Sequence, residues 1–169
     1  RIGNIDNDVK KVLETCRNRK LNNKDGIIPT LLFSKKDIVK TYNDAKQQEL
    51  IDNGNKTVSY NSEYIFSSKI KEEVKQDYIN LINSQFNVQD NIVFSKYSQV
   101  MLNVNNIDEG LANGSRGIII DFSEKDNPIV QFLNGKVLEI KKKDYKLEEN
   151  KDNITKKQIP LIHAWAITI

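Results

Sequence analysis

Apolar positions recur at helical spacing in three places along the chain. Val9, Val12, Leu13 and Cys16 stand at i, i+3, i+4 and i+7, so the spacing predicts an amphipathic helix from about Asn7 to Arg19, with Asp6 or Asn4 as its cap. Loop chemistry from Asn22 to Gly26 ends it. The short apolar run Ile28–Phe33 has the length of a buried strand, and Ile38, Val39, Tyr42 and Ala45 then share a helical face through about Leu50. Ser34 with Asp37 three residues on approximates a capping box at that helix's start. Asp52 to Lys56 reads as a turn, and Thr57 to Phe66 alternates as one or two strands. Ile70, Val74, Tyr78, Leu81 and Ile82 form a third helical stripe, followed by a polar linker from Ser84 to Asn91.

From Ile92 the period shortens. Tyr97–Val104, Gly117–Phe122, Ile129–Phe132 and Lys136–Ile140 read as short strands, with Asn134-Gly135 as a hairpin turn and Asn113-Gly114 as another tight turn. Close-spaced strands with glycine turns suggest a small barrel inserted in an α/β unit. Lys141 to Lys157 reads as a charged loop, and Ile159 to Ile169 as a buried strand of the main sheet. The strand at Ile28 and the strand ending at Ile169 are expected in one sheet, and residues 92–149 are expected to form a core of their own. A chain ending on a buried strand reads as cut from something larger.

Composition narrows the class. The 169 residues are 38% hydrophobic and 29% charged, and can hold one ordinary domain or one domain with a small insertion. No apolar run approaches the roughly 20 residues of a membrane span, and no apolar leader opens the sequence, so neither a membrane partner nor a secretory signal is expected. The one cysteine, Cys16, has no partner for a disulfide or a zinc site, which fits a reducing interior. A formal charge of +3 permits nucleic-acid binding without demanding it.

Four stretches in order carry a resemblance. They are Arg1-Ile2-Gly3; Pro29-Thr30-Leu31-Leu32-Phe33 with Asp37-Ile38-Val39 and Asn43; Gln99-Val100-Met101-Leu102 with Asn105, then Leu111-Ala112-Asn113-Gly114-Ser115-Arg116-Gly117-Ile118-Ile119 with Pro128, Val130 and Phe132; and Gln158-Ile159-Pro160-Leu161 with Ala164-Trp165-Ala166-Ile167-Thr168-Ile169. Together they resemble the PIF-type DNA helicases of superfamily 1B, relatives of RecD. Tyr97 stands where that family usually has glycine, and His163 replaces a common leucine. The resemblance implies an incomplete RecA-like (P-loop NTPase-type) α/β domain with an inserted small β-barrel of the Src-homology-3-like kind. Residues 1–91 and 150–169 then belong to the second motor domain, and 92–149 to the barrel. It further implies an ATP-dependent, 5′-to-3′ helicase that uses Mg²⁺, acts on single-stranded DNA, and works with the first RecA-like domain of the same polypeptide. The expected setting is intracellular: nucleus, mitochondrion or a viral replication site. The chain carries no GxxxxGK[ST], no acidic pair in a Walker B context and no "HKSQG", so by itself it is expected to bind no cofactor and to be inactive. The rival reading is a free-standing module that binds nucleic acid or protein without enzymatic activity.

The expected DNA contacts are Lys35, Lys36, Asn43, Asn113, Gly114, Ser115, Arg116 and Thr168. Lys35 and Lys36 open a helix, where cations oppose the helix dipole unless an anion is near; the plain alternative is a solvated basic face. Asn43 sits mid-helix, where asparagine is disfavoured, and is either a base or phosphate contact or an exposed polar position. Asn113 to Gly117 is either a simple turn or a turn whose backbone N–H groups and Arg116 meet a phosphate. The resemblance puts Thr168 at the head of a DNA-contacting motif. Trp165 is expected in the core, and the lone His163 in a structural role.

Overall fold

The computed structural model describes residues 6–17, 19, 26–86, 88–147 and 154–169. Arg1-Ile2-Gly3 lies outside the described residues. The first helix, α1 (Asn7–Arg17), is present, and the Asp6 carboxylate caps it by accepting the Val9 N–H at 2.8 Å. It buries no residue: Val9, Val12 and Leu13 are all exposed.

Strand β1 (Leu31–Phe33) leads into α2 (Lys36–Asp52). Lys35, not Ser34, occupies the cap position, and no side chain caps the helix. The face that α2 buries differs from the expected one. Asn43 and Gln47 are buried, Val39, Tyr42, Lys46 and Leu50 are half-buried, and Ile38 and Ala45 are exposed. The reason is the surface beneath. The Asn43 amide donates to the Ala166 carbonyl and accepts the Ala166 N–H, both at 2.9 Å. Gln47 donates to Ser95 Oγ and accepts from Ser98 Oγ, both at 2.7 Å. A helix seated on backbone and hydroxyl groups needs amides where an apolar stripe would leave those groups unsatisfied.

Residues Thr57–Phe66 form two strands, β2 (Thr57–Asn61) and β3 (Glu63–Phe66), before α3 (Lys75–Gln85). Seven strands follow to the end of the charged stretch: β4 (Asn91–Ser95), β5 (Gln99–Leu102), β6 (Arg116–Phe122), β7 (Pro128–Phe132), β8 (Val137–Glu139), β9 (Lys143–Lys146) and β10 (Ile154–Gln158). The last two correct the reading of Lys141–Lys157 as loop. Their sequence looks solvated because one face is. The other face carries Tyr145, Ile154 and Lys156 inward. The terminal apolar run is not one strand but two, β11 (Leu161–His163) and β12 (Ala166–Thr168), in different sheets.

The sheets are β1–β12, β2–β4, β3–β10–β9 and β11–β5–β6–β7–β8. β1 and β12 run parallel, with Leu31 opposite Ala166 and Phe33 opposite Thr168, so the two strands expected in one sheet share it and are direct neighbours. The core expected to be private to residues 92–149 is shared. β2 pairs with β4, β11 with β5, and Tyr60, Ile159 and Leu161 pack with Phe94, Val100, Ile119, Val130 and Phe132. Pairing therefore crosses both ends of that segment. A second core gathers Ile82, Val88, Tyr145, Leu147 and Ile154.

Two glycine positions follow from backbone demands. The β7–β8 hairpin closes over Leu133–Gly135 with Gly135 at φ 84°, which makes Asn134-Gly135 part of a three-residue loop ending in the left-handed region. At Gly117 a Cβ would sit 2.6 Å from the Gln131 carbonyl oxygen on the neighbouring strand, so only glycine permits that approach. Tyr97 takes φ 73° in the turn between β4 and β5. Glycine would accept that conformation without strain, and here a tyrosine holds it.

Candidate nucleic-acid interface

In a parallel pair the open ends of the strands point one way, and ligands of α/β proteins gather beyond the carboxyl ends. Beyond the carboxyl end of β1 lie Lys35 and Lys36, both exposed, at the free N–H groups that begin α2. Beside them, Thr168 ends β12 opposite Phe33, half-buried, with the Ile169 N–H bonded to the Phe33 carbonyl at 3.1 Å. Sequence positions more than 130 apart are thus brought to one edge with two ammonium groups and a hydroxyl.

Arg116 lies at the other end. Its Nη1 donates to Thr30 Oγ1 at 3.3 Å, just before β1. The Thr30 hydroxyl donates to the Ala164 carbonyl at 2.8 Å. Gln99 fixes this corner: its Oε1 accepts the Ile28 N–H, and its Nε2 donates to the carbonyls of Ile28 and Ala164, all at 2.9 Å. Thr30 and Gln99 escaped the sequence reading as holders of Arg116, although both stand inside the quoted stretches. No local signal links them, because the contact spans 86 residues.

Two groups of the expected contacts are hydrogen-bonded within the chain. Asn43 does not face solvent; both ends of its amide are bonded to Ala166, closing the edge of β12 that β1 leaves open. The turn at Asn113, Gly114 and Ser115 offers no free N–H to an anion. The Asn113 N–H goes to Asn105 Oδ1 (2.9 Å), that of Gly114 to the Leu102 carbonyl (2.8 Å), and that of Ser115 to the Ala112 carbonyl (3.0 Å). Gly114 at φ 93° makes this a plain turn that starts β6.

Trp165 is buried and stacks on His163 at 5.3 Å, while Phe94 meets the imidazole edge-on at 5.0 Å. His163 Nε2 donates to the Val93 carbonyl at 3.0 Å. Burial pushes the imidazole down to about 4, against the opposing pull of that carbonyl and of Asp44. The folded chain therefore binds the proton less well than the unfolded chain, whose histidine titrates near 6.5. Stability from this group is complete above about pH 6.5 and is lost as pH falls toward 4. We expect His163→Leu to abolish that slope, worth at most about 3 kcal/mol, in urea melts compared at pH 7 and pH 4.5. An unchanged slope in the variant would assign the pH dependence to other groups.

Among the described residues no three His, Cys, Asp or Glu side chains gather where they would hold a metal ion, and no helix is long and apolar enough to cross a membrane.

No protein-family model matches the chain. Among curated proteins it is similar to the ATP-dependent DNA helicase PIF1 of Xenopus laevis, 33% identical over all of this chain and 25% of the frog protein. Among solved structures it is similar to the Pif1 helicase of Candida albicans, 25% identical with a TM-score of 0.67 over 98% of this chain and 41% of that one. The fold also matches Bacteroides Pif1 bound to single-stranded DNA, with a TM-score of 0.60 at 21% identity over 97% of this chain and 36% of that one. The chain spans about a quarter of the length of the curated relatives it matches. Over 98% of its length this mixed α/β chain shares the fold of the Candida albicans enzyme, and together with the four quoted stretches this supports a PIF-type helicase family for it.

Proposed function

We propose that the chain is part of the second RecA-like motor domain of an ATP-dependent, 5′-to-3′ DNA helicase. In this reading it grips single-stranded DNA and completes the ATP site of a first motor domain on the same polypeptide. The observation that carries the proposal is the edge where Lys35, Lys36 and Thr168 meet beyond the carboxyl ends of a parallel pair. Support comes from the single-stranded DNA in the Bacteroides Pif1 structure of the same fold. Residues 92–149 are read as an elaboration in the form of a small Src-homology-3-like barrel, seated on the motor unit 1–91 and 150–169 and sharing its core. Arg116 extends the DNA path at the amino end of β1, and Asn113–Ser115 shape the turn that presents it.

ATP and Mg²⁺ belong to the intact motor. The sequence carries no GxxxxGK[ST] loop, so in this reading the first motor domain supplies the phosphate-binding loop. When bound, the nucleotide supplies the energy of phosphoryl transfer; this chain's part is to hold the DNA strand and the domain edge in place.

The test is binding of a single-stranded oligonucleotide to the 169-residue chain across a range of salt concentrations. With Lys35, Lys36 and Arg116 as its phosphate contacts, log K should fall with log[salt] at a slope of about −2, and replacing both lysines by alanine should reduce it by about 1.4. ATP turnover should stay at background with or without DNA. Tight binding that survives high salt would instead mark a complete binding module, and turnover that co-purifies with the chain would overturn the division of labour.

A further inference from the structure

Tyr97 is the one large side chain among the described residues that combines a left-handed backbone with broad exposure. Its φ is 73° and about half of its surface is open. Asp126, the other described non-glycine residue at positive φ, belongs to a type that tolerates it. A bulky aromatic does not, and strain of this kind persists only where the surroundings enforce it.

The surroundings do enforce it. The Tyr97 N–H donates to the Ile119 carbonyl at 2.7 Å, the Lys96 N–H to the Lys56 carbonyl at 2.8 Å, and the Ser98 N–H to the Ser95 carbonyl at 3.0 Å. Ser98 Oγ accepts the Ser95 N–H and donates to Gln47 of α2. The turn is therefore bonded on three sides and projects the ring from a rigid base. Lys96 Nζ lies 5.6 Å from the ring centroid, and Lys56 Nζ lies 5.4 Å from the neighbouring Phe122 ring. Asp121 and Asp126 stand 3.8 and 3.2 Å from these two ammonium groups and hold them in place.

From this geometry we infer that Tyr97 is a base-stacking contact for single-stranded nucleic acid, outside the set of residues already assigned to it. The inference rests on the proposed DNA-binding reading and adds a contact that the resembled family's glycine cannot make. A rigid exposed ring beside cations is the composition of a stacking platform, in which the base lies on the π-face and the phosphates pass the ammonium groups. A protein-binding hot spot asks for an apolar surround that excludes water, whereas the described neighbours here are charged.

The experiment compares wild type, Tyr97→Phe and Tyr97→Gly by fluorescence anisotropy with a labelled oligothymidylate, alongside thermal unfolding. Tyr97→Phe keeps the ring and should bind within about twofold of wild type. Tyr97→Gly should weaken Kd by about tenfold at every salt concentration, because stacking releases no counterions. The same variant should raise Tm by about 2–4 °C, since glycine accepts the backbone angle without strain. Opposite signs for affinity and stability separate a ligand contact from a structural role. Unchanged affinity in Tyr97→Gly, with wild type binding and the Lys35/Lys36 variant impaired, overturns the Tyr97 assignment alone and leaves the ring to a protein partner. Absence of binding by wild type overturns both this inference and the DNA-binding reading.

Discussion

Excising residues 92–149 and bridging the gap with a short linker should leave a chain with no cooperative unfolding transition. The segment looks separable in the sequence, where helical stripes give way to short strands, and a folded α/β remnant would be the natural expectation. The pairing says otherwise. Among the described residues β2 has β4 as its only sheet partner, β11 has β5, and β10 loses β9. All of the main described core except Tyr60, Ile159 and Leu161 leaves with the segment. Exposing those three side chains alone forfeits about 6 kcal/mol, comparable to the lower end of a domain's whole stability of about 5–15 kcal/mol. Gln47 also loses Ser95 and Ser98, so α2 is left with a buried-type amide facing nothing. Circular dichroism through a urea titration checks this. A sigmoidal transition in the remnant would show that residues 1–91 and 150–169 hold together without the excised strands.

The second large effect concerns the ion pair that locks β10 to the segment before β4. Lys156 is fully buried, and its Nζ donates to Asp90 Oδ1, Asn83 Oδ1 and the Val88 carbonyl, each at 2.8 Å. The Asp90 side chain is 45% exposed. The two partners are therefore not equivalent. Removing the lysine leaves a carboxylate that water can reach, and Lys156→Met should cost about 1–2 kcal/mol. Removing the carboxylate strands a buried ammonium with two neutral acceptors and no countercharge, so Asp90→Ala should cost about 3 kcal/mol. Midpoints in urea, with the slope held in common, measure the difference. Equal losses, or a larger one for Lys156→Met, would show that packing of the lysine stem and not its charge dominates.

Acid should weaken the same lock. Burial pushes the Asp90 carboxyl up, but the hydrogen bonds and charge of Lys156, with Tyr64 and Asn83, outweigh it and hold the group below its ordinary value of 3.8. Stability from Asp90 is thus present above that value and is lost as pH falls through the lower folded one, beneath the window in which His163 acts. The Tyr64 hydroxyl, pushed up to about 12 by burial first and by Asp90 next, stays protonated throughout.

What the sequence determined by itself is local. Periodicity placed α1, α2 and α3 to within a few residues, because an amphipathic stripe is written in the spacing of neighbours. Asn134-Gly135 and Asn113-Gly114 were legible as turns, since φ > 0 is a demand made on one residue at a time. The quoted stretches made the family resemblance legible, and the order of elements put the first strand and the last in one sheet. Tertiary structure decided the rest. Lys143–Lys146 and Ile154–Gln158 read as loop because their solvated face carries the charge, and only the neighbouring strands reveal the face turned inward. The run Ile159–Ile169 reads as one strand because apolarity does not record which sheet a residue enters. Asn43 read as a DNA contact or an exposed polar position, and its burial was missed, because an amide's partner is not encoded beside it. Across 123 residues that partner is the backbone of Ala166, whose N–H and carbonyl the buried amide satisfies together.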